Sequence, residues 1–226
     1  MNKFSFIGKT TSHIVLQFAV CVLMGFTGSL VAQSSIAFDA GQTFSKFKYS
    51  DGQGAIKDFK YNINGCFGLG YQYVAPNGLF IRAGVGMRKG GASLEYNETT
   101  VEWKLQYLDV NAGIGYMLNR WRAKPYLTVS PFFAYLLKGE QFIGISKYDI
   151  LANKSIAGHD FGVCFAPGLK VEVSNTFSFY TEFRQLTGLQ NLETDSGTGQ
   201  KSYNRGFSVH LGVAIALIRY NYVTTQ

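Results

Sequence analysis

The chain has 226 residues, of which 46% are hydrophobic, 15% aromatic and only 15% charged, with 26 glycines, 4 prolines and a formal net charge of +7. So much apolar content excludes a polar, disordered chain. A helical membrane protein with several spans is also excluded, because only residues 14–32 are apolar and uncharged over enough length to cross a bilayer as a helix.

The start of the chain has the layout of a secretory signal peptide. Lys3 and Lys9 give a basic beginning, residues 14–26 form an apolar stretch, and Leu30-Val31-Ala32 offers a cleavage site before Gln33. The sequence therefore predicts that residues 1–32 are an export signal and that residues 33–226 form one exported domain.

Two alternatives for this start stay open. The apolar stretch could remain as an uncleaved helical anchor. Cys21 could instead carry a lipid, although the preceding Phe18-Ala19-Val20 lacks the leucine and the small residue expected of a lipoprotein.

Eight segments of the exported domain are predicted to be β-strands. Four of them alternate strictly between large apolar residues and small or polar ones, which is typical of a strand with one apolar face. These are residues 61–73, 79–88, 161–173 and 207–217. Four others alternate less cleanly, at residues 36–47, 108–118, 126–137 and 177–185. Of these, residues 126–137 are apolar on both faces.

The connections between these strands alternate in length. Short ones follow the second, fourth and sixth strands, at residues 75–78, 119–125 and 174–176. Long polar ones follow the first, third, fifth and seventh, at residues 50–59, 89–100, 138–157 and 187–204. Outer-membrane barrels have this sorting, with short periplasmic turns and long extracellular loops, whereas a soluble barrel has no reason for it.

The distribution of apolar and polar residues between the two faces of each strand favours a barrel that spans a bilayer. An eight-stranded barrel has little interior space, so we expect the ring of Phe, Tyr, Leu and Ile to face lipid and Gly, Asn and Ser to face inward. Two aromatic girdles are predicted: Tyr71, Tyr73, Trp121, Tyr126 and Phe177 at the periplasmic level, and Tyr61, Trp103, Phe133, Tyr135 and Phe183 at the other. The predicted fold is all-β, an eight-stranded antiparallel up-and-down transmembrane β-barrel. The alternative is a soluble β-sandwich.

The charges within the strands are expected to lie inside the barrel. By parity the inner set is Asp39, Arg82, Arg88, Asp109, Asp160, Lys170, Glu172, Glu182 and Arg184. Register predicts the pairs Arg88–Asp109 and Lys170–Glu182. We interpret Arg82, Arg88, Asp109, Lys170, Glu172, Glu182 and Arg184 as a structural polar network of the lumen. The alternative is a gated pore or proton path, for which an excess of one sign of charge would be evidence.

Cysteine and histidine residues indicate no cofactor. Cys66 and Cys164 fall on opposite strands, too far apart for a disulfide, so two buried thiols are expected. His159 and His210 have no Cys or His at ligand spacing, so we predict no metal site.

One group of residues contains the side-chain types that nucleophilic catalysis requires. Ser208 and His210 share a face beside Glu182 and Arg184 on the neighbouring strand, and a Ser/His/acid set is the minimum for an esterase. Such a site would have to face the lipid, however, and parity places this pair inside. We therefore expect no catalytic residues.

Several segments resemble the PorT-like outer membrane β-barrel family of Bacteroidetes-type bacteria. The resemblance rests on short motifs: Phe38-Asp39-Ala40-Gly41-Gln42-Thr43-Phe44-Ser45, Leu79-Phe80-Ile81-Arg82, Tyr107-Leu108-Asp109-Val110, Lys124-Pro125-Tyr126-Leu127, Ser130-Pro131-Phe132 and Asp160-Phe161-Gly162. It implies an eight-stranded outer-membrane barrel, with a role accessory to protein secretion in part of the family. The chain departs from the family pattern at Asp109-Val110-Asn111, and from many outer-membrane proteins in ending on Val223-Thr224-Thr225-Gln226.

The sequence thus predicts a non-enzymatic protein of the bacterial outer membrane, a monomer without cofactors. Residues 89–100, 138–157 and 187–204 are the expected contact surface for envelope or secretion-machinery proteins, and the excess of lysine and arginine fits anionic outer-membrane lipid or lipopolysaccharide. Scattered lysines without a basic stripe speak against nucleic acid. The alternatives are a narrow solute or ion pore and a lipid-modifying enzyme resembling a lipid A deacylase.

Overall fold

The computed structural model describes residues 33–51, 53–96, 99–119, 121–153, 156–194 and 199–218. The predicted signal peptide and the last eight residues lie outside this part of the chain. The strands are β1 (Gln33–Ser50), β2 (Ile56–Asp58), β3 (Lys60–Val74), β4 (Leu79–Tyr96), β5 (Thr99–Met117), β6 (Ala123–Ile143), β7 (Ser146–Asp149), β8 (His159–Glu172), β9 (Phe177–Gly188) and β10 (Lys201–Ile218).

Eight of these strands form a closed antiparallel ring. Each long strand pairs with its neighbours in chain order, and β10 pairs back onto β1 from Ser34↔Ile218 to Ser50↔Lys201. The short strands β2 and β7 pair only with β1 and β6. The predicted eight-stranded up-and-down barrel is therefore confirmed. In the described ranges no helix is long and apolar enough to cross a bilayer.

The lipid face is set by strict alternation. In β10, Val209 and Leu211 are exposed while Ser208 and His210 are buried. In β8, Phe161, Val163 and Phe165 are likewise exposed around a buried Cys164. Because successive side chains of a strand point to opposite faces, these strands place large apolar residues on the lipid face, as predicted.

The long connections are more ordered than predicted. Residues 89–100 were expected to be a loop, but β4 and β5 stay paired up to Tyr96↔Thr99. The expected loop 138–157 contains the end of β6 and all of β7. The apolar alternation on the outer face stops here because these segments extend beyond the lipid, and the backbone pairing continues without it. The three short turns are confirmed.

Above the membrane level the barrel interior is apolar. Phe59, Ile150 and Leu192 come from the long connections and pack with Phe47 and Leu136 of the wall. Trp103, predicted for a girdle, packs against this cluster instead. The reason is that the outer surface here meets water, so the large side chains turn inward, as in a soluble protein.

Candidate functional site in the barrel interior

Glu182 is the centre of the charged network at the membrane level. Its Oε2 atom accepts hydrogen bonds from Arg82 Nη1 at 2.6 Å and from the Tyr126 hydroxyl at 2.7 Å. Its Oε1 atom is paired with Arg184. Glu182 and Arg82 are both buried, so each charge is satisfied by protein groups rather than by bulk water.

A second carboxylate, Asp39, continues the network across the β1–β10 seam. Asp39 Oδ2 lies 3.0 Å from Arg184 Nη2 and 2.9 Å from the Tyr180 hydroxyl. Its Oδ1 lies 2.7 Å from His210 Nδ1, and His210 Nε2 lies 2.8 Å from Ser208 Oγ. The acid partner of His210 is thus Asp39, and not Glu182 beside it.

Arg88 and Asp109 form the predicted ion pair. Two hydrogen bonds join them, at 2.8 Å from Nε and 3.2 Å from Nη2. The guanidinium also lies over the Tyr107 ring, 4.9 Å from its centroid, which adds a cation–π attraction. This pair connects the charged network to the apolar cluster above it.

The remaining predicted residues lie at the periplasmic end. Glu172 accepts a hydrogen bond from Lys124 at 2.7 Å. Lys170 and Glu182 share the inner face and are both buried, as parity required. Their direct pairing stays a prediction, since Glu182 is held by Arg82 and Arg184.

Large aromatic rings share this narrow interior because glycines make room for them. A Cβ atom on Gly168 would overlap the Tyr126 ring, and one on Gly212 would overlap the Tyr180 ring. Gly115 stands in the same relation to Phe80. Tyr126, predicted for the periplasmic girdle, therefore points inward. The inner face thus pairs glycines with large rings, two of which, Tyr126 and Tyr180, carry hydroxyl donors.

The network encloses a small central cavity of about 80 Å³. Arg82, Arg88, Asp109 and both cysteines line it. A volume of this size accommodates a few water molecules and is too small for a sugar or an acyl chain. Among the described residues, no group of three or more His, Cys, Asp or Glu side chains could hold a metal ion.

The two cysteines are free and buried, and the Cys66 thiol lies 3.5 Å from His210 Nε2. In a Cys21→Ser background, we expect a maleimide-coupled polyethylene glycol to leave both thiols of the folded barrel unmodified and to label both in urea. Ser174→Cys in an exposed turn is the matched control and should react at once. Labelling of Cys66 or Cys164 in the folded barrel at the control's rate would contradict the structure.

Parity alone identified the inner charges but missed several of their partners. Parity does place Tyr180 on the inner face with Glu182 and Arg184, but Tyr126 was predicted for the lipid-facing girdle and Tyr107 lay outside the predicted strands. Asn204, which donates to Asp160 at 2.8 Å and to the Tyr107 hydroxyl at 3.1 Å, lay in a predicted loop. For Tyr107 the parity that it shares with Asp109 was the signal that could have found it, and for Asn204 the parity that it shares with Ser208.

A closed ring of eight antiparallel strands, with an apolar outside and ion pairs inside, defines a transmembrane β-barrel of the bacterial outer membrane. Residues 18–216 match the model of the outer membrane protein beta-barrel domain, and the chain belongs to that family. No curated protein matches the sequence significantly.

Solved structures of outer-membrane barrels share the fold. OprG from Pseudomonas aeruginosa superposes with a TM-score of 0.53 at 9% identity, covering 84% of this chain and 98% of its own. Neisserial surface protein A gives 0.51 at 14% identity, with coverages of 81% and 97%. A major outer membrane protein of Thermus thermophilus gives 0.51 at 13% identity, with coverages of 82% and 99%. At these identities the likeness concerns the fold alone.

Proposed function

We propose that this protein is a non-enzymatic barrel that acts through contacts made by its extracellular hairpins. The observation that carries this proposal is the tip of the β6–β7 hairpin, defined here as Ile143, Ile145 and Tyr148. All three side chains are exposed, Ile145 completely, although the hairpin lies beyond the apolar band that faces lipid. Exposed apolar side chains at the end of a rigid, paired hairpin are suited to binding a partner protein.

Charged side chains surround this tip. Lys147 and Lys138 both pair with Glu140, at 2.7 and 2.9 Å. These hydrogen bonds hold the pKa of Glu140 below its usual value, and the one from Lys147 has the larger effect. An apolar tip with a polar base resembles the general layout of protein interfaces, which favours a protein partner there over lipid.

The partners that fit are envelope or secretion-machinery proteins, with lipopolysaccharide around the barrel wall. A secretion-accessory role follows from the resemblance to the PorT-like family, and the barrel would carry it out as a monomer.

The filled interior of the barrel supports a contact function over a pore, because ion pairs occupy the membrane level and an apolar cluster lies above them. Planar bilayers containing the protein should show no stepwise conductance; regular steps would favour the pore.

One observation favours a second candidate, a lipid-modifying enzyme. Ser208, His210 and Asp39 are linked as in a Ser-His-Asp triad, at 2.8 and 2.7 Å. All three lie inside the wall beside the small cavity, which gives a lipid no route to Ser208. We therefore infer that the chain of hydrogen bonds orients His210 and Asp39 within the structural network.

A deletion strain tests both candidates, with secreted proteins and envelope integrity as readouts. We expect wild type and Ser208→Ala to restore the strain and Ile145→Asp to fail, with Ile56→Asp, another exposed isoleucine, as the matched control that restores it. All variants are compared at equal amounts in the outer membrane. Full restoration by Ile145→Asp would overturn the contact surface, and failure of Ser208→Ala with altered lipid A would favour the enzyme.

A further inference from the structure

A second, larger cavity lies at the extracellular mouth of the barrel, and its described lining does not include the three residues of the β6–β7 tip. Its volume is about 310 Å³, within the range of small-molecule sites, which are often found in the mouths of β-barrels. The described residues that line it are mainly aromatic or aliphatic, with a few polar groups between them. That composition is typical of a binding site for a small organic molecule.

Three aromatic rings build one wall of this cavity and hold each other in place. Phe47 and Phe59 both meet Trp103 edge-on, with centroids 5.9 and 5.5 Å apart. Phe47 and Phe59 also meet each other at 5.8 Å. Rings fixed by such contacts need no ordering when a ligand arrives, so binding avoids that entropic cost.

One acidic side chain lies in the described lining of the cavity. Of the described residues that line it, Glu193 alone is charged, and Gln141, Gln200 and Ser202 supply neutral polar groups. Glu193 lines the same cavity as Tyr49, and burial and then the charge of Glu193 raise the pKa of the Tyr49 phenol. The backbone of Glu193 is fixed by a bridge to Ile156.

We propose that this mouth cavity binds a small organic cation with an apolar body, of the alkyl- or arylammonium class. Aromatic ring faces attract such cations, and Glu193 supplies the opposite charge. The site goes beyond the contact function proposed above, because it lies inside the mouth and does not use the hairpin tip.

Trp103 is a built-in reporter for the test. In a Trp121→Phe background it is the sole indole, since the chain has 2 tryptophans. Titration of the refolded full-length protein with phenyltrimethylammonium should change Trp103 fluorescence saturably, with a Kd of about 0.1–1 mM. Glu193→Gln should weaken this binding about five- to tenfold.

Two controls isolate the charge of Glu193. Glu95→Gln removes an exposed carboxylate that pairs with Lys60 outside the cavity, and it should leave the affinity unchanged. Binding of tert-butylbenzene, the neutral analogue, should be weaker and indifferent to Glu193→Gln. The proposal is overturned by an absent or unsaturable response in the folded protein, by equal affinity in Glu193→Gln, or by equal binding of the neutral analogue.

Discussion

Replacing Glu182 with glutamine is expected to lower the free energy of unfolding by about 3–5 kcal/mol, the usual cost of removing one partner of a buried ion pair. The amide keeps the size of the side chain but leaves Arg82 and Arg184 without the carboxylate that now pairs with both. It also weakens the acceptor for the Tyr126 hydroxyl. Urea-induced unfolding in phospholipid vesicles, followed by tryptophan fluorescence, measures the loss.

Glu95→Gln is again the matched control, because its pair with Lys60 is largely exposed. Exposed pairs contribute about 0–1 kcal/mol, so this variant should unfold close to wild type. If Glu182→Gln lost no more stability than Glu95→Gln, the central position of Glu182 in the network would be wrong.

Gly168→Ala is expected to cost about 2–4 kcal/mol, although it adds a single methyl group. The new Cβ would overlap the Tyr126 ring, and overpacking of this kind costs about 1–3 kcal/mol. Moving the ring also strains its charge-assisted hydrogen bond to Glu182, which adds about 1.5–3 kcal/mol if the bond is lost. The same vesicle unfolding assay applies.

Gly65→Ala serves as the comparison, since nothing lies within 4 Å of a Cβ at Gly65. There, alanine should be neutral or stabilising by up to about 1 kcal/mol. Tyr126→Leu removes the ring that Gly168→Ala displaces, so the double variant should lose less than the sum of the two single losses. Strict additivity would show that the ring and the glycine do not interact.

The strands and the direction of their faces were predictable because a two-residue period needs no knowledge of tertiary structure. Cys164 between Val163 and Phe165 is a case in which alternation alone gave the correct side. The partners of inner residues were harder to predict. Parity places Asp39 and His210 inside, but only the closure of β10 onto β1, with Gly41 opposite His210, brings their side chains within hydrogen-bond distance.

Aromatic residues were the main error, for a physical reason. Tyrosine and tryptophan suit both a membrane interface and a buried site with a polar partner, so composition cannot decide between them. For Tyr126 the decision comes from Gly168 on the neighbouring strand, a contact that is distant in sequence. For Trp103 it comes from Phe59, which is outside the predicted strands altogether.

Because the mouth of the barrel is apolar inside, the sequence itself indicates where each strand passes from lipid into water. Along β5, the exposed apolar residues Val110 and Ile114 occupy even positions, whereas the buried Leu105 and Tyr107 occupy odd ones. Along β1, Phe38 is exposed and Phe47 is buried, with the same exchange of parity. Along these strands the apolar residues therefore change from the outward-facing to the inward-facing positions where the strand leaves the bilayer. In a small barrel with extended hairpins, the position of this change in the sequence indicates where the membrane ends.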